Sequence, residues 1–360
     1  MRLPKPNNII AEKYVAGMSV FKNRLAKIKL SANESALGPS PKAKKEYIKV
    51  SKSFARYPDT NGTFLRETLS KKFNLDKNRI VLGSGSDQIF ELICKAYLKK
   101  GDEAIVPKYS FIIYRIYSKM NGAKVIYSKE NNFTVSVKDI LKKVTTKTKV
   151  VFLANPNNPT GTYVTKKDLL FLRKKLRSNI LLVVDDAYFE YVKQKNYSSA
   201  LKLFSNFKNV VMTRTFSKIY GLAGLRVGWG YGSKEIIDTL NKIKPPFNVN
   251  KAALFAASAA VKDSAWLNKE IKHVNNWNKK MFNEFKKMKI ETNKSYSNFL
   301  LVNFDKVKIN SSRVFKLLAK AGILVRKMDV YGIKNSLRIT IGKSEENRKL
   351  ISKMKKILNV

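Results

Sequence analysis

Three segments of the sequence bring together residue types that carry out acid–base and amine chemistry. ANPNNPTG (154–161) follows an apolar run, and VVDDAY (183–188) places carboxylates and a tyrosine directly after apolar residues. TRTFSKIYGLAGLRVG (213–228) supplies Lys218 between a serine and an arginine. Each segment alone has an ordinary turn or capping explanation. Together, their order and spacing predict one site that uses Lys218, because ligand sites in open α/β sheets lie beyond the carboxyl ends of the strands.

A glycine-containing turn, VLGSGSDQ (81–88), follows another short apolar run and precedes an amphipathic segment. Backbone N–H groups at the start of a helix favour an anion, and Ser86 adds a hydroxyl donor. The same residues also fit an ordinary helix start with Ser86 or Asp87 as the capping residue. Two interpretations therefore stay open for this turn, an anion cradle and a plain cap.

Several widespread motifs are excluded. The third glycine of a dinucleotide fingerprint would fall at Gln88, and the GKS sequence at 342–344 lacks the upstream glycine of a P-loop. His273 is the only histidine, which rules out histidine-based triads and histidine-rich metal sites, so we expect no metal. Cys94, the only cysteine, lies on the apolar side of a helical segment and is interpreted as core filling.

Short apolar runs alternate with helical patterns around these motifs. Runs such as ILLVV are apolar throughout, which is typical of strands buried on both faces. Helical periodicity marks the segments from Gln88 to Leu98 and from Lys166 to Leu176. The alternation predicts an α/β fold with a mainly parallel seven-stranded sheet covered by helices. The candidate strands are Ile80–Gly83, Ala104–Val106, Lys124–Tyr127, Val150–Ala154, Ile180–Asp185, Val210–Thr213 and Arg226–Gly230.

The pattern changes after the Pro245-Pro246 pair. A long helical stretch is predicted from about Asn250 to Lys289, and after it come strand-like FLLVNF (299–304), ILVR and LRITIG, with further helices from about Ser311 and Ser344. We expect the N-terminal arm and the C-terminal part to form a smaller α+β domain. The predicted division is an arm at 1–45, a large domain at 46–248 and a small domain at 249–360.

The formal net charge of +46 comes mainly from lysines spread along the chain. Without a zinc-finger cysteine pattern or an aromatic RNA-binding motif, we expect no nucleic-acid partner, and we expect the charge to attract anionic, especially phosphorylated, substrates. The longest apolar run, 252–261, is about half the length needed to span a bilayer, so no membrane partner is expected. The first 17 residues lack the apolar core of a signal peptide, and one cysteine suits a reducing compartment, which together predict a cytoplasmic protein.

The three motifs, in this order, resemble those of fold-type-I pyridoxal-phosphate aminotransferases, and the resemblance extends over nearly the whole chain. Within that superfamily the sequence is similar to the histidinol-phosphate aminotransferase family. The segments that carry this similarity are LSANESALGPSP (30–41), ARYPDTNG (55–62), PKYSFIIY (107–114), the segment around Lys218, and GILVRKMDVYG followed by LRITIG.

The resemblance implies pyridoxal 5′-phosphate as the cofactor, held by Lys218 as a Schiff base. Lys218 would also move a proton during the reaction, a role that needs a lysine of lowered pKa. Asp185 would keep the pyridine nitrogen of the cofactor protonated. Asn158 and Tyr188 would donate hydrogen bonds to its phenolic oxygen.

The resemblance also implies how the rest of the cofactor is held. Tyr109 would stack on its ring, and Tyr57 would reach the cofactor phosphate of the neighbouring subunit in a homodimer. Asp87 would lie beside the phosphate as a helix cap, and Thr215 is a further candidate there. The implied phosphate contacts are Gly85, Ser86, Ser217 and Arg226.

On the substrate side, the resemblance implies that Arg338 grips an α-carboxylate in a bidentate fork. Arg326 would bind a substrate phosphate, although it also fits a surface arginine at a strand end, and Tyr14 and Asn33 would lie beside it. The implied reaction is amino transfer from histidinol phosphate to 2-oxoglutarate in histidine biosynthesis. An aromatic amino-acid aminotransferase and a phosphothreonine decarboxylase on the same fold stay open as alternatives.

Overall fold

The structure is a computed structural model and describes residues 12–21 and 23–359. Its helices alternate with short strands along most of the chain, as the sequence pattern predicts. The helices are α1 Pro41–Ser51, α2 Thr63–Phe73, α3 Gly85–Tyr97, α4 Ile113–Met120, α5 Val137–Lys142, α6 Lys166–Lys175, α7 Ala200–Phe204, α8 Lys234–Ile243, α9 Lys251–Lys262, α10 Ser264–Lys287, α11 Ser311–Lys320 and α12 Ser344–Leu358.

The strands are short, and the longest has seven residues. They are β1 Val20–Phe21, β2 Arg24–Leu25, β3 Ile28–Lys29, β4 Ile80–Gly83, β5 Glu103–Pro107, β6 Lys124–Ser128, β7 Glu130–Asn131, β8 Thr134–Val135, β9 Thr148–Ala154, β10 Leu181–Asp185, β11 Val210–Thr215, β12 Gly228–Tyr231, β13 Glu291–Thr292, β14 Phe299–Asn303, β15 Ile323–Leu324, β16 Arg326–Lys327 and β17 Ser336–Thr340.

Seven strands form the central sheet, in the order β4-β12-β11-β10-β9-β5-β6. Neighbouring strands from β11 to β6 run parallel, and β12 alone runs antiparallel to both of its neighbours. The predicted mainly parallel seven-stranded sheet is therefore confirmed. Its parallel strands end at one edge, and the reversed strand β12 begins at that same edge.

Successive residues of the inner strands point to opposite faces of the sheet, and both faces are covered. In β9, Val151 and Leu153 belong to one hydrophobic cluster, whereas Val150 and Phe152 belong to a second cluster. Helices and other strands supply the remaining residues of each cluster, so that β9 and β10 are buried along nearly their whole length. This two-sided burial explains why these strands lack the polar alternation of a half-exposed sheet.

A second, antiparallel sheet has the order β13-β14-β17-β16. The short strand β3, near the N-terminus, pairs with β15 in the C-terminal part, which ties the two ends of the chain together. In the ladder between β16 and β17, Arg326 lies directly opposite Arg338. The domain boundaries expected from the sequence stay a prediction.

Most of the predicted strands differ from the observed ones by one or two residues at an end, and three differences have a visible local cause or change an element. The helix expected from Gln88 begins at Gly85, and the strand expected from Arg226 begins at Gly228, because Arg226 has a left-handed backbone with φ of 54°. The helix expected from Asn250 to Lys289 is two helices. It breaks at Asp263, whose carboxylate accepts a hydrogen bond from the Trp266 N–H at the start of α10. Among the described residues, no helix is both long and apolar enough to cross a membrane.

Candidate active site

A cavity of about 300 Å³ lies at the edge where the parallel strands end. Side chains from the central sheet, the antiparallel sheet and the N-terminal segment all line it. Most of the predicted site residues meet there, namely Tyr14, Asn33, Ser86, Asp87, Asn158, Asp185, Tyr188, Thr215, Ser217, Lys218, Arg226, Arg326 and Arg338. The structure thus brings the three sequence motifs together in one cavity.

The Lys218 amine lies in the cavity wall, close to a tyrosine face. Its Nζ donates to the Ala32 carbonyl at 3.4 Å and lies 5.9 Å from the centre of the Tyr188 ring. Burial, and then the positive charge of Arg338, lower the pKa of Lys218 to about 8. A lysine of this kind has a substantial neutral fraction near neutral pH, which a nucleophile and a proton carrier both require.

Asp185, the last residue of β10, is buried and accepts two hydrogen bonds from hydroxyl groups. Tyr114 donates to Oδ2 at 2.7 Å, and Thr213 donates to Oδ1 at 3.3 Å. Burial raises the pKa of Asp185 to about 6, while the Tyr114 hydrogen bond lowers it. A cation placed beside this carboxylate would favour its ionised form.

Tyr188, Asn158 and Arg338 all line the cavity. Asn33 donates from Nδ2 to the Tyr188 hydroxyl at 3.1 Å, which leaves the hydroxyl hydrogen of Tyr188 available to another acceptor. Arg338 donates to Asn158 Oδ1 at 2.5 Å and to the Ser31 carbonyl at 3.0 Å. Its Nε is buried and has no hydrogen-bond partner in the part of the chain that the structure describes, a cost that a bound anion would remove.

The turn between β4 and α3 forms an anion-binding corner. The helix cap is Ser84, so neither Ser86 nor Asp87 caps it as expected, and the N–H groups of the first turn follow directly from Gly85. Arg226 donates to Ser217 Oγ at 3.3 Å and to Asp87 Oδ2 at 3.1 Å. The corner therefore combines a cation, a hydroxyl and a helix start, which together suit a phosphate.

Glycine is required at Gly85 for two reasons. Its φ of 76° is unfavourable for other residues, and a Cβ there would lie 2.4 Å from Nη2 of Arg226. A Cβ at Gly228, the first residue of β12, would lie 2.4 Å from the Ser86 N–H nitrogen. Gly85 does not itself line the cavity, but its lack of a side chain lets the arginine approach the helix start.

Two arginines lie side by side in the wall of the cavity, on its substrate side. Arg326 and Arg338 are 6% and 5% exposed and occupy directly opposite positions in the ladder. Like charges at opposite positions destabilise a sheet, so the pair is most favourable with an anion nearby. Arg326 donates to the backbone carbonyls of Val15 and Ala16 and thereby holds the N-terminal segment that carries Tyr14.

The N-terminal segment has a second anchor outside the cavity. Glu12 forms an ion pair with Arg115 at 2.8 Å and another with Lys119, and both partners lie on α4. Arg115 also donates to the Val330 carbonyl at 3.1 Å. These contacts fix the segment on which Tyr14 borders the cavity.

Besides Gly85, two other predicted residues are not part of the lining of this cavity. The Tyr109 ring packs against Phe133 at 5.9 Å between centroids, and Phe111 is the aromatic residue of this segment that lines the cavity. Stacking of Tyr109 on the cofactor ring stays a prediction. Tyr57 is 80% exposed, stacks on Phe247 at 4.5 Å, and lies in a separate surface groove.

Sequence reasoning missed three residues of the site. Phe111 and Tyr331 line the cavity, and Tyr114 contacts Asp185 from behind it. Phe111 and Tyr114 stand in PKYSFIIY and Tyr331 in RKMDVYG, so the segments were identified but not the side chains. Asp186, adjacent to Asp185, is buried on the other side and accepts from the Ala200 N–H at 2.9 Å, with its pKa raised to about 7 by burial.

The chain is similar in sequence to the family described as aminotransferase class I and II, which matches residues 26–354. A histidinol-phosphate aminotransferase of Pelagibacter ubique (strain HTCC1062) is 52% identical over 360 residues, which cover 100% of both chains. One of Rhodopseudomonas palustris (strain BisB18) is 40% identical and covers 97% of this chain and 96% of the relative.

Solved structures show the same fold at lower sequence identity. Histidinol-phosphate aminotransferase from Sinorhizobium meliloti, in complex with pyridoxal-5′-phosphate, superposes with a TM-score of 0.87 at 22% identity and covers 93% of this chain and 92% of its own. The enzyme from Clostridium acetobutylicum gives a TM-score of 0.84 at 24% identity, over 92% of this chain and 98% of its own. These likenesses establish the fold.

Proposed function

Because the chain belongs to the class I and II aminotransferase family, we propose that it transfers the amino group of histidinol phosphate to 2-oxoglutarate. Its cofactor is pyridoxal 5′-phosphate, and its reaction is amino transfer. The relative that is 52% identical over the full length is a histidinol-phosphate aminotransferase, which supports this amino donor. The observation that carries the proposal is the neighbouring pair Arg326 and Arg338 beside the Lys218 amine, because two cations fit substrates that bear anionic groups.

The residues of the cavity fit the cofactor. An amine of lowered pKa, a buried acid, a tyrosine with an available hydroxyl hydrogen and a cationic phosphate corner lie around one space. When bound, the cofactor supplies an electron sink that stabilises negative charge at the substrate carbon bearing the amine. The remaining catalytic work falls to side chains of this chain.

Lys218 would hold the cofactor through its amine and, once released by the substrate, would act as the proton carrier. A pKa of about 8 leaves part of the amine neutral near neutral pH, so that it could accept the proton from the substrate carbon and donate it again as the ammonium. Partial burial and Arg338 together supply this lowered pKa. A lysine in bulk water would be protonated and unable to accept the proton.

Asp185 holds the proton on the cofactor's ring nitrogen. Its carboxylate lies at the end of β10 and cannot leave the site, because Tyr114 and Thr213 each hold one of its oxygens. Tyr188 and Asn158 would hydrogen-bond the cofactor's phenolic oxygen. Arg226, with Ser217 and the start of α3, binds its phosphate.

Arg338 binds the carboxylate of the amino-acid substrate, and Arg326 binds the phosphate of histidinol phosphate. Asn158 holds one Nη of Arg338, so its planar guanidinium is oriented before substrate arrives. Phosphate binding would draw the Arg326 donors away from the Val15 and Ala16 carbonyls. Substrate binding would thereby exchange backbone contacts for charge-assisted ones.

We also propose that two copies of the chain share their active sites as a homodimer. A patch on one side exposes large apolar side chains, including Ile48 at 65% and Phe54 at 49%, and Tyr57 lies within it. The phosphate corner is open, since the Arg226 side chain is 44% exposed. Tyr57 of a second copy would cover the phosphate, and burial of the apolar patch would stabilise the pair.

The single cysteine supports a cytoplasmic location.

The test is to purify the protein, record its visible spectrum, and add candidate amino donors one at a time. Histidinol phosphate should bleach the cofactor band and, with 2-oxoglutarate, give glutamate. Faster turnover of phenylalanine or tyrosine would favour an aromatic aminotransferase. Release of carbon dioxide from phosphothreonine without a keto-acid acceptor would favour the decarboxylase. Either result would replace the proposed substrate.

A further inference from the structure

The buried side chain of Tyr114 lies behind the acid that faces the cofactor ring. Its hydroxyl donates to Asp185 Oδ2 at 2.7 Å, and both side chains are buried. We propose that Tyr114 is a positioning residue for amino transfer, whose hydroxyl fixes the orientation of the Asp185 carboxylate and keeps it ionised beside the ring nitrogen. The inference rests on the proposed function, since it assigns a partner to the acid of that site.

The Tyr114 ring is held from three directions. It stacks on Phe152 with ring centroids 5.0 Å apart and an angle of 5° between planes, and Phe90 meets it edge-on at 5.0 Å. Phe111, which lines the cavity, packs edge-on at 5.7 Å. A ring enclosed in this way keeps its hydroxyl at one place, so the carboxylate that accepts from it is also kept in one orientation.

Tyr114 is the stronger of the two side-chain donors to Asp185. A hydroxyl–carboxylate distance of 2.7 Å is typical of a strong hydrogen bond, whereas the 3.3 Å from Thr213 lies beyond the usual range for a hydroxyl donor. Without Tyr114, the Oδ2 atom of a buried carboxylate would lose its closest donor. The anionic form would then be the less favoured one.

The electrostatic surroundings show why a donor is needed here. Burial raises the pKa of Asp185, the Tyr114 hydrogen bond opposes that rise, and the negative charge of Asp87 adds to it. The pKa of Tyr114 itself is raised well above its ordinary value by burial and by Asp185, so its hydroxyl stays protonated and donates throughout the working range. The charged and titratable groups that interact electrostatically with Asp185 are Asp87 from α3, Tyr114 from α4, Lys218 and Tyr188 from the segments after the strands, and the adjacent Asp186, which points away from the cavity.

The decisive variant is Tyr114→Phe, which removes the hydroxyl and keeps the ring. Tyr191→Phe is the matched control, because Tyr191 is also buried and its hydroxyl has no hydrogen-bond partner among the described residues. The first measurement is the binding of pyridoxal 5′-phosphate to each apo-protein, titrated from pH 5 to pH 9. The pH at which affinity falls to half should move upward by about one to two units in Tyr114→Phe alone. An unchanged midpoint overturns the proposal.

A second measurement uses the apo-protein without any cofactor. Because the folded pKa of Asp185 lies above its unfolded value, its contribution to stability is present at low pH and is lost as pH rises through about 6. Removing the Tyr114 hydroxyl should increase that loss, so the drop in Tm relative to the unmodified protein should grow with pH. Tyr191→Phe should show a difference that does not depend on pH. A pH-independent difference for Tyr114→Phe would indicate a packing role only and overturn the proposal.

A further variant covers the case in which Tyr114→Phe fails to fold. Replacing Tyr114 by 3-fluorotyrosine nearly preserves its shape and strengthens the donor, so the midpoint should move downward instead. A midpoint that stays in place overturns the proposal here as well. Failure of the proposed function would look different, because the unmodified protein would then bind the cofactor without transferring the amino group of histidinol phosphate, whatever the midpoint in Tyr114→Phe.

Discussion

The replacement Arg326→Ala tests whether this side chain recognises the phosphate of the amino donor. The side chain is 6% exposed and lies opposite Arg338, so its charge is poorly screened by water. Two hydrogen bonds from Arg326 to a phosphate contribute about 1.5–3 kcal/mol each, and the two backbone contacts that Arg326 gives up offset about 1 kcal/mol each. A net loss of about 2 kcal/mol predicts a fall of about 30-fold in kcat/KM for histidinol phosphate.

The assay compares two amines that differ only in the phosphate. Single-turnover bleaching of the cofactor band is measured with histidinol phosphate and with histidinol, for the unmodified protein and for Arg326→Ala. The loss for histidinol should stay below about 3-fold, since that substrate offers no phosphate to bind. Lys327→Ala is the control, because Lys327 is the next residue and pairs with Asp329 at 2.8 Å on the protein surface. An equal loss with both amines would refute the phosphate role and leave Arg326 as an anchor of the N-terminal segment.

Three further results are expected. Mixing Lys218→Ala and Tyr57→Ala proteins, each inactive or nearly so, should restore about a quarter of the normal activity through hybrid dimers, and no recovery would contradict shared sites. Cofactor association with the apo-protein, followed by stopped-flow absorbance, should accelerate as pH rises through about 8, because Lys218 becomes neutral there. Arg338→Leu should move the midpoint of this pH dependence upward, because the charge of Arg338 lowers the pKa of Lys218. An association rate that does not depend on pH would contradict the role of Lys218 as the nucleophile. In steady-state kinetics, Glu12→Gln should raise KM about 3-fold with little change in kcat, because the partly exposed ion pairs of Glu12 hold the segment that bears Tyr14. A lower kcat at unchanged KM would contradict this role of Glu12.

The sequence was sufficient for the central sheet and for the convergence of the three motifs. Strands buried on both faces are apolar throughout, and residues that follow them must meet at one sheet edge, so the positions of Asn158, Asp185 and Lys218 follow from the pattern. The pairing of Arg326 with Arg338 did not follow, because it depends on the register between two short strands, β16 and β17. A shift of one residue would point either arginine to the other face.

Local geometry accounts for the remaining differences. Tyr109 and Phe111 are two aromatic residues in one turn, and no periodicity tells which ring points into the cavity. Tyr114 has the spacing of an ordinary core residue on an amphipathic helix, so its hydrogen bond to Asp185 becomes visible only when α4 packs beside β10. The break at Asp263 has neither proline nor glycine to mark it, since a side-chain cap starts the new helix.

The covalent bond between Lys218 and the cofactor is the claim on which the others depend. Borohydride should fix the phosphopyridoxyl group to the reconstituted protein, and peptide mass spectrometry should then find it on Lys218 alone among the many lysines of the chain. In Lys218→Arg the visible cofactor band and the labelled peptide should both be absent. A label on a different lysine, or a normal cofactor band in Lys218→Arg, would contradict the account.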